Sequence, residues 1–216
     1  MNTLKALGAL LTYPTAELLD ALPDLYAVIV EEAVLDRPQR QKMKGLLLWM
    51  ASYDPLDLEE AYVELFDRGR ATSLHLFEHV HGESRDRGQA MVDLKALYQR
   101  GGLALRGNEL PDYLPAMLEY LSTRPADEAK ELLGDCAHIL RALGRQLVKR
   151  RSRYAVVIDA VLASVGESGI GAGDTAAQPS EKSMDEEWAE EPVIFGPAAA
   201  PCSTPARKPQ PPAAHM

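Results

Sequence analysis

With 216 residues, 46% of them hydrophobic, the chain is long enough for a core of its own and too apolar for wholesale disorder. Asp+Glu 32 against Lys+Arg 23 gives a net charge of −9, which works against a nucleic-acid role. The two cysteines, Cys136 and Cys202, form no disulfide framework and have no Cys/His neighbours at zinc spacing, so a reducing compartment is expected.

At the N-terminus, Glu17 and Asp20 interrupt the first apolar pattern, and the basic start and small-residue cleavage site of a secretory leader are missing. The apolar patch Leu46 to Ala51 is far short of the ~20 residues that span a bilayer. A cytoplasmic chain without stable membrane insertion follows as the expectation. Asp54 and Pro55 supply an N-cap and a first-turn proline, after which Leu58, Ala61, Tyr62, Leu65 and Phe66 recur at the spacing of one helix face.

Further on, His75-Leu76-Phe77-Glu78-His79 matches the H-x-x-E-H pattern of one zinc metallopeptidase class. On a helix, two His four residues apart can hold one metal while the Glu activates water. The sequence places no third ligand beyond a weak candidate in His81, so no metal is assigned. The bland alternative buries Leu74, Phe77 and Val80 and leaves the imidazoles at the rim of a groove. Arg85, Asp86 and Arg87 read as a local ion-pair cluster at a helix start, with Asp86 as its N-cap. Ala90, Met91, Leu94, Leu97 and Tyr98 form the next apolar face, stopped by Gly101 and Gly102, and Leu114, Met117, Leu118 and Leu121 form another after Pro111.

Leu132, Leu133, Cys136, Leu140, Leu143 and Leu147 make a stripe, and Tyr154, Val157, Ile158, Val161, Leu162 and Val165 a second, on one long helix or two. The run Arg145, Lys149, Arg150, Arg151 and Arg153 reads as a solvated helix face, or as a dock for the acidic tail or an acidic partner. Only Tyr26 to Val30 is rich in strand formers, and no alternating run is flanked by hairpin turns. The expected fold class is therefore all-α, a single globular helical bundle over residues 1–165. Residues 166–216 hold 8 of the 15 prolines and are net acidic, and are expected to form a disordered, Pro-rich tail. The tail's glycines lack the Lys-Ser/Thr of a phosphate loop.

Two blocks carry a family likeness. The first comprises Tyr62, Leu65, Phe66 and Asp67, then Ser73, Leu74, His75, Glu78, His79 and Gly82, then Arg85, Arg87, Gly88, Gln89, Ala90 and Met91, ending on Leu94 and Tyr98. It resembles the NarJ family, the assembly chaperones of respiratory nitrate reductase, within the wider TorD/DmsD-like group of helical chaperones for molybdenum redox enzymes. The second, Glu109, Leu110, Pro111, Asp112, Tyr113 and Leu114 followed by Leu118, Glu119, Tyr120 and Leu121, is similar to the Glu-x-Pro-Asp-His-Leu signature of that group. Tyr113 replaces the signature His, so no role that needs an imidazole there carries over. In the tail, Asp185, Trp188, Glu190, Glu191, Pro192, Val193 and Phe195 look like the acidic-aromatic segment of NarJ proteins.

The resemblance implies a cytoplasmic, non-enzymatic chaperone with no cofactor of its own. Its implied partner is the N-terminal segment of the nitrate reductase catalytic (alpha) subunit, held competent for molybdenum cofactor insertion before membrane docking. The chaperone stays out of the finished enzyme, and molybdenum cofactor biosynthesis proteins are further expected partners. A bundle with one incompletely covered apolar face can accept an amphipathic client helix. On that reading Tyr62, Leu65, Phe66 and Tyr113 wall the groove, Asp67, Glu78, Glu109 and Asp112 meet basic client residues, and His75 and His79 lie at its rim. The competing reading makes the first four core residues and Asp112 a helix cap after Pro111. Two other classes stay open: a zinc-dependent hydrolase built on His75, Glu78 and His79, and a scaffold acting through the acidic tail around Trp188.

Overall fold

The computed structural model describes residues 1–80, 85–105, 107 and 109–171, which belong to one compact unit, Met1–Asp174. His81, Gly82 and the acidic-aromatic segment around Trp188 lie outside the described residues. Nine α-helices are present among them: α1 Asn2–Leu10, α2 Ala16–Glu32, α3 Arg37–Ser52, α4 Pro55–Phe66, α5 Arg85–Arg100, α6 Leu114–Ser122, α7 Ala126–Asp135, α8 Ala137–Lys149 and α9 Ala155–Ser164. Two 3-10 turns, Arg70–Thr72 and Leu76–Glu78, link α4 to α5. The all-α expectation holds, and the strand-forming patch Tyr26 to Val30 is helical within α2.

Local chemistry starts several of these helices. Thr15 accepts from the Leu18 N–H at α2, and Asp36 and Gln39 form a reciprocal capping box at α3. At α4 the Asp54 carboxylate accepts from the Leu56 N–H at 2.9 Å and Pro55 opens the first turn, as the sequence implies. The centre is built on α1, which packs against α6, α2 and α9. Gly8 lets α1 approach α6 closely, since a Cβ there would lie 3.2 Å from the Pro115 carbonyl oxygen. In α9, Val157, Ile158, Val161 and Leu162 are all fully buried. Such a helix is apolar nearly all round and sits in the interior.

Several local expectations change. Helix α5 starts at Arg85, so Asp86 lies inside its first turn, where its charge suits the helix dipole, and is not the N-cap. The leucine stripe from Leu132 to Leu147 spans two helices that break at Cys136. The basic run is exposed at Lys149, Arg150, Arg151 and Arg153 but does not lie on one helix. α8 ends at Lys149, Arg151 adopts φ 55°, and the Arg153 guanidinium lies 5.6 Å over the Trp49 ring. The order of the unit also continues past residue 165. Arg141 bonds the Glu167 carboxylate and the Ser168 carbonyl, and the Ile170 N–H donates to Asp159 at 3.2 Å. Among the described residues no helix is long and apolar enough to cross a membrane.

Candidate functional site

After α4 the chain is turned back by Thr72, whose hydroxyl bonds the Leu65 carbonyl. It then runs extended through His75, which pairs with Tyr113 in an isolated antiparallel bridge. The bridge is closed by Leu114 N–H to the Leu74 carbonyl at 2.9 Å and Leu76 N–H to the Asp112 carbonyl at 3.0 Å. This junction buries the Asp112 side chain completely. A buried carboxylate is tolerated only when it is paired and hydrogen-bonded, and Asp112 is both. Its Oδ1 lies 3.1 Å from His75 Nδ1, its Oδ2 accepts the Phe77 N–H at 3.2 Å, and Arg87 stands 3.9 Å away. A carboxylate can only accept, so Nδ1 of His75 carries the proton. The bond to Asp112 raises the His75 pKa above its ordinary value, partial burial opposes this, Glu78 adds to it and Arg87 subtracts.

The geometry lacks the helix that the zinc-hydrolase alternative needs. His75 to His79 is not an α-helix: a single 3-10 turn covers Leu76–Glu78, and the two imidazoles take different partners. His79 Nε2 donates to the Ser73 carbonyl at 2.9 Å while His75 is bound to Asp112. Among the described residues no group of His, Cys, Asp and Glu is arranged to hold a metal ion. Asp112 is likewise not a helix cap, because Tyr113 occupies the N-cap position of α6.

Of the expected groove walls, Tyr62 and Phe66 are core residues, each 4% exposed. The Tyr62 hydroxyl donates to the Leu11 carbonyl at 2.8 Å, and the Phe66 ring packs against Tyr62 and Tyr154 at 4.9 and 5.2 Å. Both point inward because α4 turns its 58, 62, 66 face to the interior. Leu65 and Tyr113 are half-buried, and the Tyr113 ring stands 5.3 Å from His75. Asp67 and Glu109 are exposed, whereas Glu78 is half-buried and lies 3.6 Å from Arg87. Asp112, expected as a rim charge, is sealed inside the junction.

Two concavities line this part of the molecule. One, of about 320 Å³, is formed by His75, Glu109, Leu110 and Tyr113. The other is an apolar cleft of about 230 Å³ whose lining includes Phe77, Leu94 and Leu97, Met117 and Tyr120 of α6, and Leu132 of α7. Cys136 borders it, and burial pushes its thiol pKa up, so it behaves as a small apolar residue. Sequence reasoning missed this cleft. The available signal was the narrow apolar stripe of α5, which needs a partner face that no neighbouring segment obviously supplies.

The family model described as nitrate reductase delta subunit matches residues 32–157. The chain is 44% identical over 202 residues to the nitrate reductase molybdenum cofactor assembly chaperone NarJ of Escherichia coli (strain K12), spanning 90% of this chain and 85% of that protein. It is 43% identical over 201 residues to the probable nitrate reductase molybdenum cofactor assembly chaperone NarW of the same strain, spanning 90% and 84%. With the probable chaperone NarJ of Bacillus subtilis (strain 168) it shares 35% identity over 168 residues, 78% of this chain and 90% of that one.

Proposed function

Because the chain belongs to the nitrate reductase delta subunit family, as a molybdenum cofactor assembly chaperone and not an enzyme, we propose that it binds the N-terminal segment of the nitrate reductase catalytic (alpha) subunit in the apolar cleft between α5, α6 and α7. The observation that carries this reading is the cleft itself, a concave apolar surface lined from α5, α6 and α7. An amphipathic client helix places its anchors in such a groove and is oriented by charges at the rim. Exposed Asp67 and Glu109 supply negative charge for a basic client, in keeping with the net charge of −9. His75 and Tyr113 add contact surface beside Glu109 in the other concavity, while Asp112 and Glu78 act on the cleft through Arg87.

Binding covers an apolar segment of the apoenzyme and keeps it open to cofactor insertion in the cytoplasm. The chaperone leaves before membrane docking and carries no molybdenum cofactor itself, and cofactor biosynthesis proteins meet the client in this bound state. Calorimetric titration with the alpha-subunit N-terminal peptide, against a scrambled control, tests the reading. Saturable binding is expected, with Leu97→Glu weakening it by roughly a hundredfold, since a charge placed in an apolar groove is left without a partner. A wild-type affinity in Leu97→Glu with helix content intact moves the client elsewhere, and stoichiometric uptake of the cofactor by the isolated protein refutes action on the apoenzyme alone.

A further inference from the structure

Helix α5 forms one wall of the cleft through Leu94 and Leu97, yet Tyr98 is its only fully buried residue among those described. Core packing reaches that wall through Leu94 and Leu97, which rest half-buried against the core, and through the Tyr98 ring, 4.8 Å from that of Tyr120 on α6. Two polar side-chain contacts add to this hold, and they reach adjacent residues. Near the end of the helix, the Tyr98 hydroxyl donates to the Pro111 carbonyl at 2.8 Å. In its first turn, Arg87 Nη2 lies 3.6 Å from Glu78 Oε1 and 3.9 Å from Oδ2 of the buried Asp112. The two attachments are about 16 Å apart along the helix, with Leu94 and Leu97 between them and nearer the Tyr98 end. The same Asp112 oxygen accepts the backbone N–H of Phe77, whose side chain lines the cleft as well. One carboxylate thus ties two of the cleft's walls together.

We propose that Arg87, held by Asp112 and Glu78, is a positioning residue that sets the distance of the α5 wall from α6 and α7 and so makes the cleft fit an apolar helical segment. The inference rests on the client reading above. At 3.6 and 3.9 Å the contacts are between charges and are not a bidentate fork. A lysine that reaches the same place therefore substitutes for the arginine.

The test compares wild type, Arg87→Gln and Arg87→Lys in the full chain, by titration with the alpha-subunit N-terminal peptide and by fluorescence of an anilinonaphthalene sulfonate dye without peptide. Arg87→Gln is expected to bind the peptide roughly tenfold more weakly, as when a partly buried ion pair that orders a binding surface is removed, and to take up more dye as the cleft widens. Arg87→Lys stays within about threefold of wild type in affinity, because the point charge is kept. Wild-type affinity and dye uptake in Arg87→Gln overturn the proposal, and so does a loss that Arg87→Lys fails to rescue. Loss of helix content in Arg87→Gln assigns the residue to the fold and also overturns it. If the wild type binds no peptide, the client reading falls by itself, and the dye measurement alone decides for or against Arg87.

Discussion

Ile170 fills the notch that Gly144 leaves on α8: a Cβ on Gly144 would lie 2.6 Å from Ile170 Cγ1 and 3.3 Å from Ile158 Cγ2. Residues 166–171 are thereby part of the packed unit, reinforced by the Arg141–Glu167 pair and the Ile170–Asp159 bond. A chain ending at Gly171 is expected to melt above one ending at Val165. The shorter chain loses the half-buried Ile170, a backbone hydrogen bond and a partly exposed ion pair, together about 2 kcal/mol. For a domain of this size that is roughly 5 °C, readable by scanning calorimetry. Equal melting temperatures would return the boundary to residue 165.

The same notch makes the effect of Gly144→Ala depend on chain length. In a chain ending at Val165 the two tightest contacts of the new methyl are gone and it meets Ile158 Cγ2 at 3.3 Å, which has to yield by a few tenths of an ångström, while helix propensity gains about 0.5–1 kcal/mol. In a chain ending at Gly171 the methyl expels Ile170, so the gain is cancelled or reversed. Urea unfolding of the four proteins measures this difference. A stabilisation of the same size in both backgrounds contradicts the packing described.

Much of this architecture is legible in the sequence, because caps and apolar periodicity are local. Asp54, Pro55 and the 58, 62, 66 face specify α4 before any tertiary contact is known. The break at Cys136 is not legible, since α7 and α8 bury the same side and their leucines continue one stripe across it. Periodicity shows that a face is apolar but not what covers it. Tyr62 and Phe66 therefore read equally as groove wall or core, and only burial decides. Arg87 reads as a local charge beside Asp86, because a partner such as Asp112 that folding brings near leaves no trace in the intervening residues.

Tyr62→Phe and Tyr113→Phe are expected to differ although their hydroxyls lie 3.3 Å apart. The Leu11 carbonyl can only accept, so the Tyr62 proton goes to it and Tyr113 donates to Tyr62. Removing the Tyr62 hydroxyl takes a partner from the Leu11 carbonyl and from Tyr113, at a cost of about 1–3 kcal/mol. Loss of the Tyr113 hydroxyl removes one bond at a half-buried position and costs under about 1 kcal/mol. Denaturant midpoints at a common slope give both values. An equal or inverted ranking contradicts the donor assignment.

The pairing of His75 with Asp112 sets a direction for the pH dependence of stability. Asp112 holds the imidazole proton from below, Glu78 favours the charged form from the 3-10 turn, and Arg87 opposes it from α5. The net effect lifts the folded pKa above the ordinary value of 6.5. A raised folded pKa means that the native state holds the proton more tightly than the unfolded chain. The stabilisation is fully present below the unfolded value and fades as pH rises through the folded one. Wild type and His75→Gln, unfolded in urea at intervals from about pH 5.5 to 9, should therefore differ most at the acid end, with the gap narrowing as pH rises. The neutral imidazole still donates from Nδ1 to Asp112, so a residual gap persists at high pH. A gap that widens with pH would mean that burial outweighs the carboxylate, and the junction would then hold His75 neutral.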